Sequence, residues 1–163
     1  MIDRPDFQLR VLPNPAILRL QAFKDWGGLV DSTIELPMVP NQLLGGDPYA
    51  LWLAPNDWLV YAQAITSFQL GATFRESRYR ELIITDVSSG SVVIELGGTR
   101  ALDVLARDCT LDLESASMAY GRSARTTIAQ VGIIIHRLPN AHQWRLLVDR
   151  STAGYLADWL SQD

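Results

Sequence analysis

The chain is short of most residues that advertise chemistry. Its 163 residues hold one cysteine, Cys109, and two histidines, His136 and His142. A single cysteine cannot close an internal disulfide, which removes the main reason to place the chain in an oxidising compartment. Structural zinc takes four N or S ligands. Neither a Cys-x-x-Cys nor a His-Glu-x-x-His spacing occurs, so no metal site is expected. Long apolar runs are missing too. Val131-Gly132-Ile133-Ile134-Ile135 is typical, whereas a bilayer demands about 20 residues, so no membrane span is expected. Positive charge is not in excess. Against 14 basic side chains stand 18 acidic ones, a net charge of −4, which argues against a broad face for nucleic acid. The opening Met1-Ile2-Asp3-Arg4-Pro5-Asp6 has no apolar stretch of the kind a signal peptide needs. A cytoplasmic location is the expectation.

What is present suits a folded globule. Hydrophobic residues make up 48% and charged residues 20% of the chain, too apolar for disorder to dominate. The length suggests one domain, residues 1–163. A domain of that size buries roughly 70% of the surface its unfolded chain exposes.

Patterning gives the elements. Residues 1–15 contain Pro5, Pro13 and Pro15, which prevent a helix. They are expected to form an extended arm with little core of its own. Its apolar Phe7, Leu9, Val11 and Leu12 would then be ordered against a partner, because ordering costs about 1–2 kcal/mol of backbone entropy per residue. Alternation predicts a strand from Leu18 to Phe23. Lys24 to Glu35 is ambiguous, since helical spacing there meets Gly27 and Gly28. A loop rich in Pro and Gly follows, up to Pro48. Strands are expected at Tyr49–Ala54 and Asp57–Gln63 around an Ala54-Pro55-Asn56-Asp57 turn, then a helix from Ala64 to about Tyr79. Leu82–Val87 and Ser91–Leu96 read as a hairpin. Thr99 is expected to cap a helix through Arg107. Strands at Ser123–Ala129, Val131–Leu138 and Gln143–Asp149 follow, and Ser151 should cap a last helix with Tyr155, Leu156, Trp159 and Leu160 on one stripe. Trp58 and Trp159 are both expected to be buried. Hairpins interleaved with helices define an α+β fold, antiparallel with helices packed on the sheet faces.

No motif among these elements specifies a reaction. His136 reads as a satisfied histidine at the end of an apolar strand, and His142 as a solvated turn residue. Cys109 reads as a small buried hydrophobe; a thiolate paired with a distant histidine is the alternative, without a flanking motif to support it. Ser88-Ser89-Gly90-Ser91 lacks the Gly-x-Ser-x-Gly elbow and reads as a turn whose hydroxyls bond nearby backbone. Gly97-Gly98-Thr99-Arg100 lacks both the dinucleotide fingerprint and a phosphate loop. No catalytic, cofactor-binding or metal residue is therefore assigned. Arg75, Arg78 and Arg80 form either a solvated helix end or the polar rim of an interface. Of the 14 basic residues 13 are Arg, beside 5 Trp, 5 Tyr and 4 Phe, a composition that suits an interface. Those aromatics could equally fill the core.

Four segments together resemble the gamma subunits of heterotetrameric sarcosine oxidases. Leu51-Trp52-Leu53-Ala54-Pro55-Asn56-Asp57-Trp58-Leu59 is similar to that family's Leu-Trp-Leu-Gly-Pro-Asp-Glu-Trp-Leu stretch. Asp86-Val87-Ser88-Ser89-Gly90 with Ile94-Glu95-Leu96-Gly97-Gly98-Thr99-Arg100-Ala101 resembles a second. Val104-Leu105-Ala106-Arg107-Asp108-Cys109-Thr110-Leu111-Asp112-Leu113 resembles a third. Arg145-Leu146-Leu147-Val148-Asp149-Arg150-Ser151, running to Leu160, resembles a fourth. Ala54, Thr99 and Arg125 stand where the family usually has Gly, Pro and Gln. The resemblance implies a fold related to the folate-binding domain of the glycine-cleavage aminomethyltransferase. It also implies a place beside alpha, beta and delta subunits in a complex that oxidatively demethylates sarcosine or related amines. FAD, FMN, NAD, zinc and tetrahydrofolate would lie on the other subunits or at their interfaces, with no cofactor on this chain. Two other readings remain at this stage. One is a stand-alone folate-binding transferase-like protein, with Asp86 or Glu95 as the strand carboxylate for the pterin. The other is a homo-oligomeric structural domain.

Overall fold

Period-two alternation in the sequence becomes pleat in the structure. The computed structural model describes residues 1–23, 34–75, 82–140 and 142–162. Most of the ambiguous Lys24–Glu35 segment lies outside the described residues, as do Arg78 and Arg80. In chain order the elements begin with β1 (Ile2–Asp3), β2 (Gln8–Val11), β3 (Ala16–Ala22), β4 (Leu43–Gly45), β5 (Tyr49–Ala54), β6 (Asp57–Ala62) and α1 (Ser67–Arg75). They continue with β7 (Leu82–Asp86), β8 (Ser91–Gly97), α2 (Ala101–Ala106), a 3-10 turn at Ala116–Met118, β9 (Ser123–Ile128), β10 (Val131–Arg137), β11 (Gln143–Asp149) and α3 (Arg150–Leu160). Every strand pair is antiparallel, as the α+β expectation required.

The chain gathers into two compact units. The first joins Met1–Leu12 to Gly90–Asp163 and holds a six-stranded sheet in the order β1-β2-β8-β11-β10-β9. One face carries Val92, Ile94 and Leu96 of β8 and Trp144, Leu146 and Val148 of β11. They form a core with Ala101, Val104 and Leu105 of α2 and Ala153, Leu156 and Leu160 of α3. The α3 stripe is narrower than its sequence suggests. Tyr155 is exposed, and Trp159 is half-buried with the Arg107 guanidinium 5.2 Å over its ring. Ser151 does not cap this helix. Asp149 does, accepting from the Ser151 N–H at 2.8 Å.

The second unit, Pro13–Ser89, holds a five-stranded sheet in the order β4-β5-β6-β3-β7. Its core pairs Leu18, Leu20, Trp58 and Val60 with Leu70 and Phe74 of α1. Trp58 is buried as expected, and its indole N–H donates to the Pro37 carbonyl at 2.6 Å. The start of α1 is a reciprocal cap absent from the sequence reading. The Thr66 hydroxyl accepts from the Gln69 N–H at 3.2 Å, while the Gln69 side chain accepts from the Thr66 N–H at 2.9 Å.

Two further expectations fail on strand partners. β7 and β8 are not a hairpin: β7 pairs with β3 and β8 with β2 and β11. The Ser88 side chain accepts from the Ile17 N–H at 2.8 Å. That anchors the end of β7 in its own sheet before the chain leaves for the other. The N-terminal arm is also no free arm. Pro5, Pro13 and Pro15 lie outside β2. They therefore exclude a helix without excluding a strand, and β2 pairs with β8 from Gln8↔Gly97 to Val11↔Ile94.

Candidate functional site

The residues singled out for a partner interface separate on burial. Phe7, Leu9 and Leu12 are buried, the first two within the core of the first unit. They are not available to a partner, because β2 completes that sheet with side chains of its own. Val11 stays half-exposed and Arg75, at the end of α1, is exposed. Arg78 and Arg80 lie outside the described residues.

The segments weighed for chemistry have structural explanations. Ser88 donates to the Asp86 carboxylate at 2.6 Å, and hydrogen bonds from Ser88 and then Ser67 hold that carboxyl below its usual range. Thr99 is not the cap of α2; Arg100 occupies that position without a side-chain bond. The need is for glycine. Gly98 has φ +100°, and a Cβ there would sit 2.3 Å from the Asp6 carbonyl oxygen. That oxygen accepts from the Arg100 N–H at 3.0 Å. Cys109 is half-buried, its Sγ 4.0 Å from the Thr126 hydroxyl. Among the described residues no group of three His, Cys, Asp or Glu side chains could hold a metal.

A polar row that sequence reasoning missed crosses the first unit. Arg10 on β2 stands opposite Glu95 on β8, Glu95 opposite Arg145 on β11, Arg145 opposite His136 on β10, and His136 opposite Ser123 on β9. Glu95, His136 and Ser123 are the buried polar residues of the described chain. Arg10 Nε donates to one Glu95 oxygen at 2.9 Å and Arg145 Nε to the other at 2.8 Å. Both carboxylate oxygens are thus committed to guanidinium groups. Burial first, then the nearby Arg145 charge, hold the His136 imidazole neutral, its pKa pushed down to about 3. The sequence did carry a signal: Arg10, Glu95 and Arg145 are each the polar member between two apolar residues of an alternation. The alignment of the row depends on four registers across five strands, which no local pattern states.

The second unit carries a different feature. An open pocket of about 240 Å³ is lined by Gln21, Ala22, Phe23, Ile83 and the β5–β6 turn Ala54-Pro55-Asn56-Asp57. Phe23 is 79% and Ile83 41% exposed beside it.

This pair of antiparallel sheets with helices on them is the architecture of the aminomethyltransferase type. The chain is similar in fold to glycine cleavage system aminomethyltransferase T from Bartonella henselae, with a TM-score of 0.66 at 16% identity, covering 98% of this chain and 46% of that one. It is similar also to a chain of the heterotetrameric sarcosine oxidase from Corynebacterium sp. U-96 in complex with pyrrole 2-carboxylate. There the TM-score is 0.82 at 23% identity, covering 94% of this chain and 81% of that one. In sequence it is 27% identical over 132 residues to sarcosine oxidase subunit gamma of Corynebacterium sp. strain U-96, and 28% identical over 112 residues to that of strain P-1. These matches take in 78% and 68% of this chain but span only 62% and 53% of the two relatives. The model of the sarcosine oxidase, gamma subunit family matches residues 29–163, and the chain belongs to that family.

Proposed function

We propose that the chain is the non-catalytic gamma subunit of a heterotetrameric sarcosine oxidase-type complex in the cytoplasm. The complex oxidatively demethylates sarcosine or a related N-methyl amino acid, and this subunit serves its assembly and stability. Alpha, beta and delta subunits are its partners. FAD, FMN, NAD, zinc and tetrahydrofolate belong to them or to their interfaces. The observation that carries the reading is the family match over residues 29–163. The committed state of the carboxylates supports it against a stand-alone folate-binding role. Glu95 cannot grip a pterin without releasing Arg10 or Arg145, and Asp86 is occupied by serine hydrogen bonds. Val11 and Arg75 remain in this reading as partner-facing residues.

The test is co-expression of the other three subunits with and without this chain. The expected outcome is that omission lowers the yield of assembled complex, and that adding the chain back restores sarcosine-dependent peroxide production. Full assembly and full activity without the chain would refute the reading.

A further inference from the structure

We propose that the outer edge of β7 and the pocket beside it form a docking site for an extended, uncharged segment of a partner subunit, which adds to the second unit's sheet as a sixth strand. The proposal rests on the subunit reading above and specifies where the partner touches.

The backbone supplies the first part. The Val87 N–H donates to the Ile17 carbonyl at 2.9 Å, so Ile17 and Val87 are a bonded pair of the β3–β7 ladder. Bonded and non-bonded pairs alternate in an antiparallel ladder. In the printed register Arg19↔Thr85 and Gln21↔Ile83 are then bonded to β3, whereas Leu82, Ile84 and Asp86 turn their N–H and C=O groups outward. The other side of β3 agrees, because Ala22 donates to the Asn56 carbonyl at 2.9 Å and the even-numbered residues thus bond to β6. β7 is the last strand of its sheet among the described residues. Exposed edges are ordinarily blunted by Lys, Pro or a bulge. Leu82-Ile83-Ile84-Thr85 has none of these, and the one charge of the strand, Asp86, stands at its end. An edge left unpaired among the described residues fits a strand, since only a strand satisfies its outward groups in register.

Side chains supply the second part. Ile83 lies on the pocket face, and Phe23 and Pro55 line the same pocket. Its polar rim is already neutralised, because Arg19 Nε donates to the Asp57 carboxylate at 3.0 Å. A recess without net charge, with Phe23, Pro55 and Ile83 beside Gln21 and Asn56 on its wall, next to an open edge suits an uncharged side chain of the added strand rather than a charged one.

Area decides between a second copy and a different partner. A five-residue strand is about 17 Å long, so edge and pocket together offer on the order of 200–300 Å² against about 800 Å² per partner in a stable complex. A dimer of this chain through β7 alone is too small. One strand of a larger heteromeric interface fits.

The test is amide hydrogen exchange on the chain alone and in the assembled complex, together with the double variant Ile83→Lys/Thr85→Lys. Both side chains are exposed, so the variant's own melting should be unchanged while two charges block the edge. The expected result is exchange at the Ile84 amide slowed about 100-fold in the complex, and a double variant that associates about tenfold more weakly or worse. A complex that forms while Ile84 exchanges as in the free chain overturns the docking site and leaves the subunit role standing. Failure to assemble with any partner overturns both. Protection that grows with the concentration of the chain alone assigns the edge to a second copy and overturns the heteromeric partner.

Discussion

The two sheets solve the same problem of register by opposite means. The first unit places one charge pair inside: Glu95 meets Arg145 there, Arg10 reaches the same carboxylate from the exposed side, and the row continues to buried His136 and Ser123. The second unit keeps its charge pair at the margin. Arg19 meets Asp57 on the open part of the sheet, with the Arg19 side chain 44% exposed against 13% for Arg145. Both are guanidinium–carboxylate contacts, though Arg19 spans both Asp57 oxygens while Arg10 and Arg145 each hold one Glu95 oxygen. The solvent left around Arg19 and Arg145 also differs, and that largely sets what each is worth. A buried ion pair costs desolvation and holds one alignment, because any slip strands a charge. An exposed pair tolerates error, since water substitutes for either partner.

The largest effect should therefore come from Glu95. Glu95→Ala deprives Arg145 of its buried carboxylate and is expected to cost about 3–5 kcal/mol. Urea denaturation reads this as a lower midpoint. A midpoint within error of the parent would mean that the row is solvated in solution and that the contrast between the units is false.

A smaller and pH-dependent effect sharpens the contrast. In the unfolded chain the His136 imidazole titrates near 6.5, and in the fold it stays neutral down to about 3. Between these values the unfolded chain binds the extra proton. Stability is complete above pH 6.5 and falls with pH at up to about 1.4 kcal/mol per unit. The change should vanish in His136→Gln, whose stability between pH 7 and pH 5 is expected to track only the carboxylates. Equal losses in parent and variant would show that the imidazole is hydrated and titrates normally.

How far the sequence foretold this depends on the range of each interaction. The alternation of Trp144, Leu146 and Val148 and that of Val92, Ile94 and Leu96 pointed correctly to the core face of their strands, because a pleat is a local property. The Ser88 turn was legible in part for the same reason: two of its bonds run to Asp86, two residues back, while those to Ile17 were not foreseen. Membership in a sheet was not. β7 and β8 are separated by a short turn yet belong to different sheets, and nothing local distinguishes that from a hairpin. The arm failed similarly. Its apolar residues were recognised, but their partner is β8, far along the chain, rather than another subunit. The polar row was least visible of all, since it requires four registers to be known at once.

The smallest effect expected is at Arg19, and it tests the comparison from the other side. Arg19 donates from Nε to Asp57 at 3.0 Å, and this hydrogen bond raises the guanidinium pKa above its usual value. That shift has no consequence near neutral pH, where an arginine is charged anyway. Because the side chain is 44% exposed, Arg19→Ala leaves an Asp57 that water can reach through the open pocket it lines. The cost should be about 0.2–1 kcal/mol, the range of exposed pairs, and should shrink further as salt screens it. Urea midpoints at low and high salt measure both quantities. Burial would be the deciding variable if Arg19→Ala falls in that range while Glu95→Ala costs several times more. Equal costs would instead make the two-oxygen grip of Arg19 on Asp57 the compensating factor, and the second unit would then hold its register with charge just as the first does.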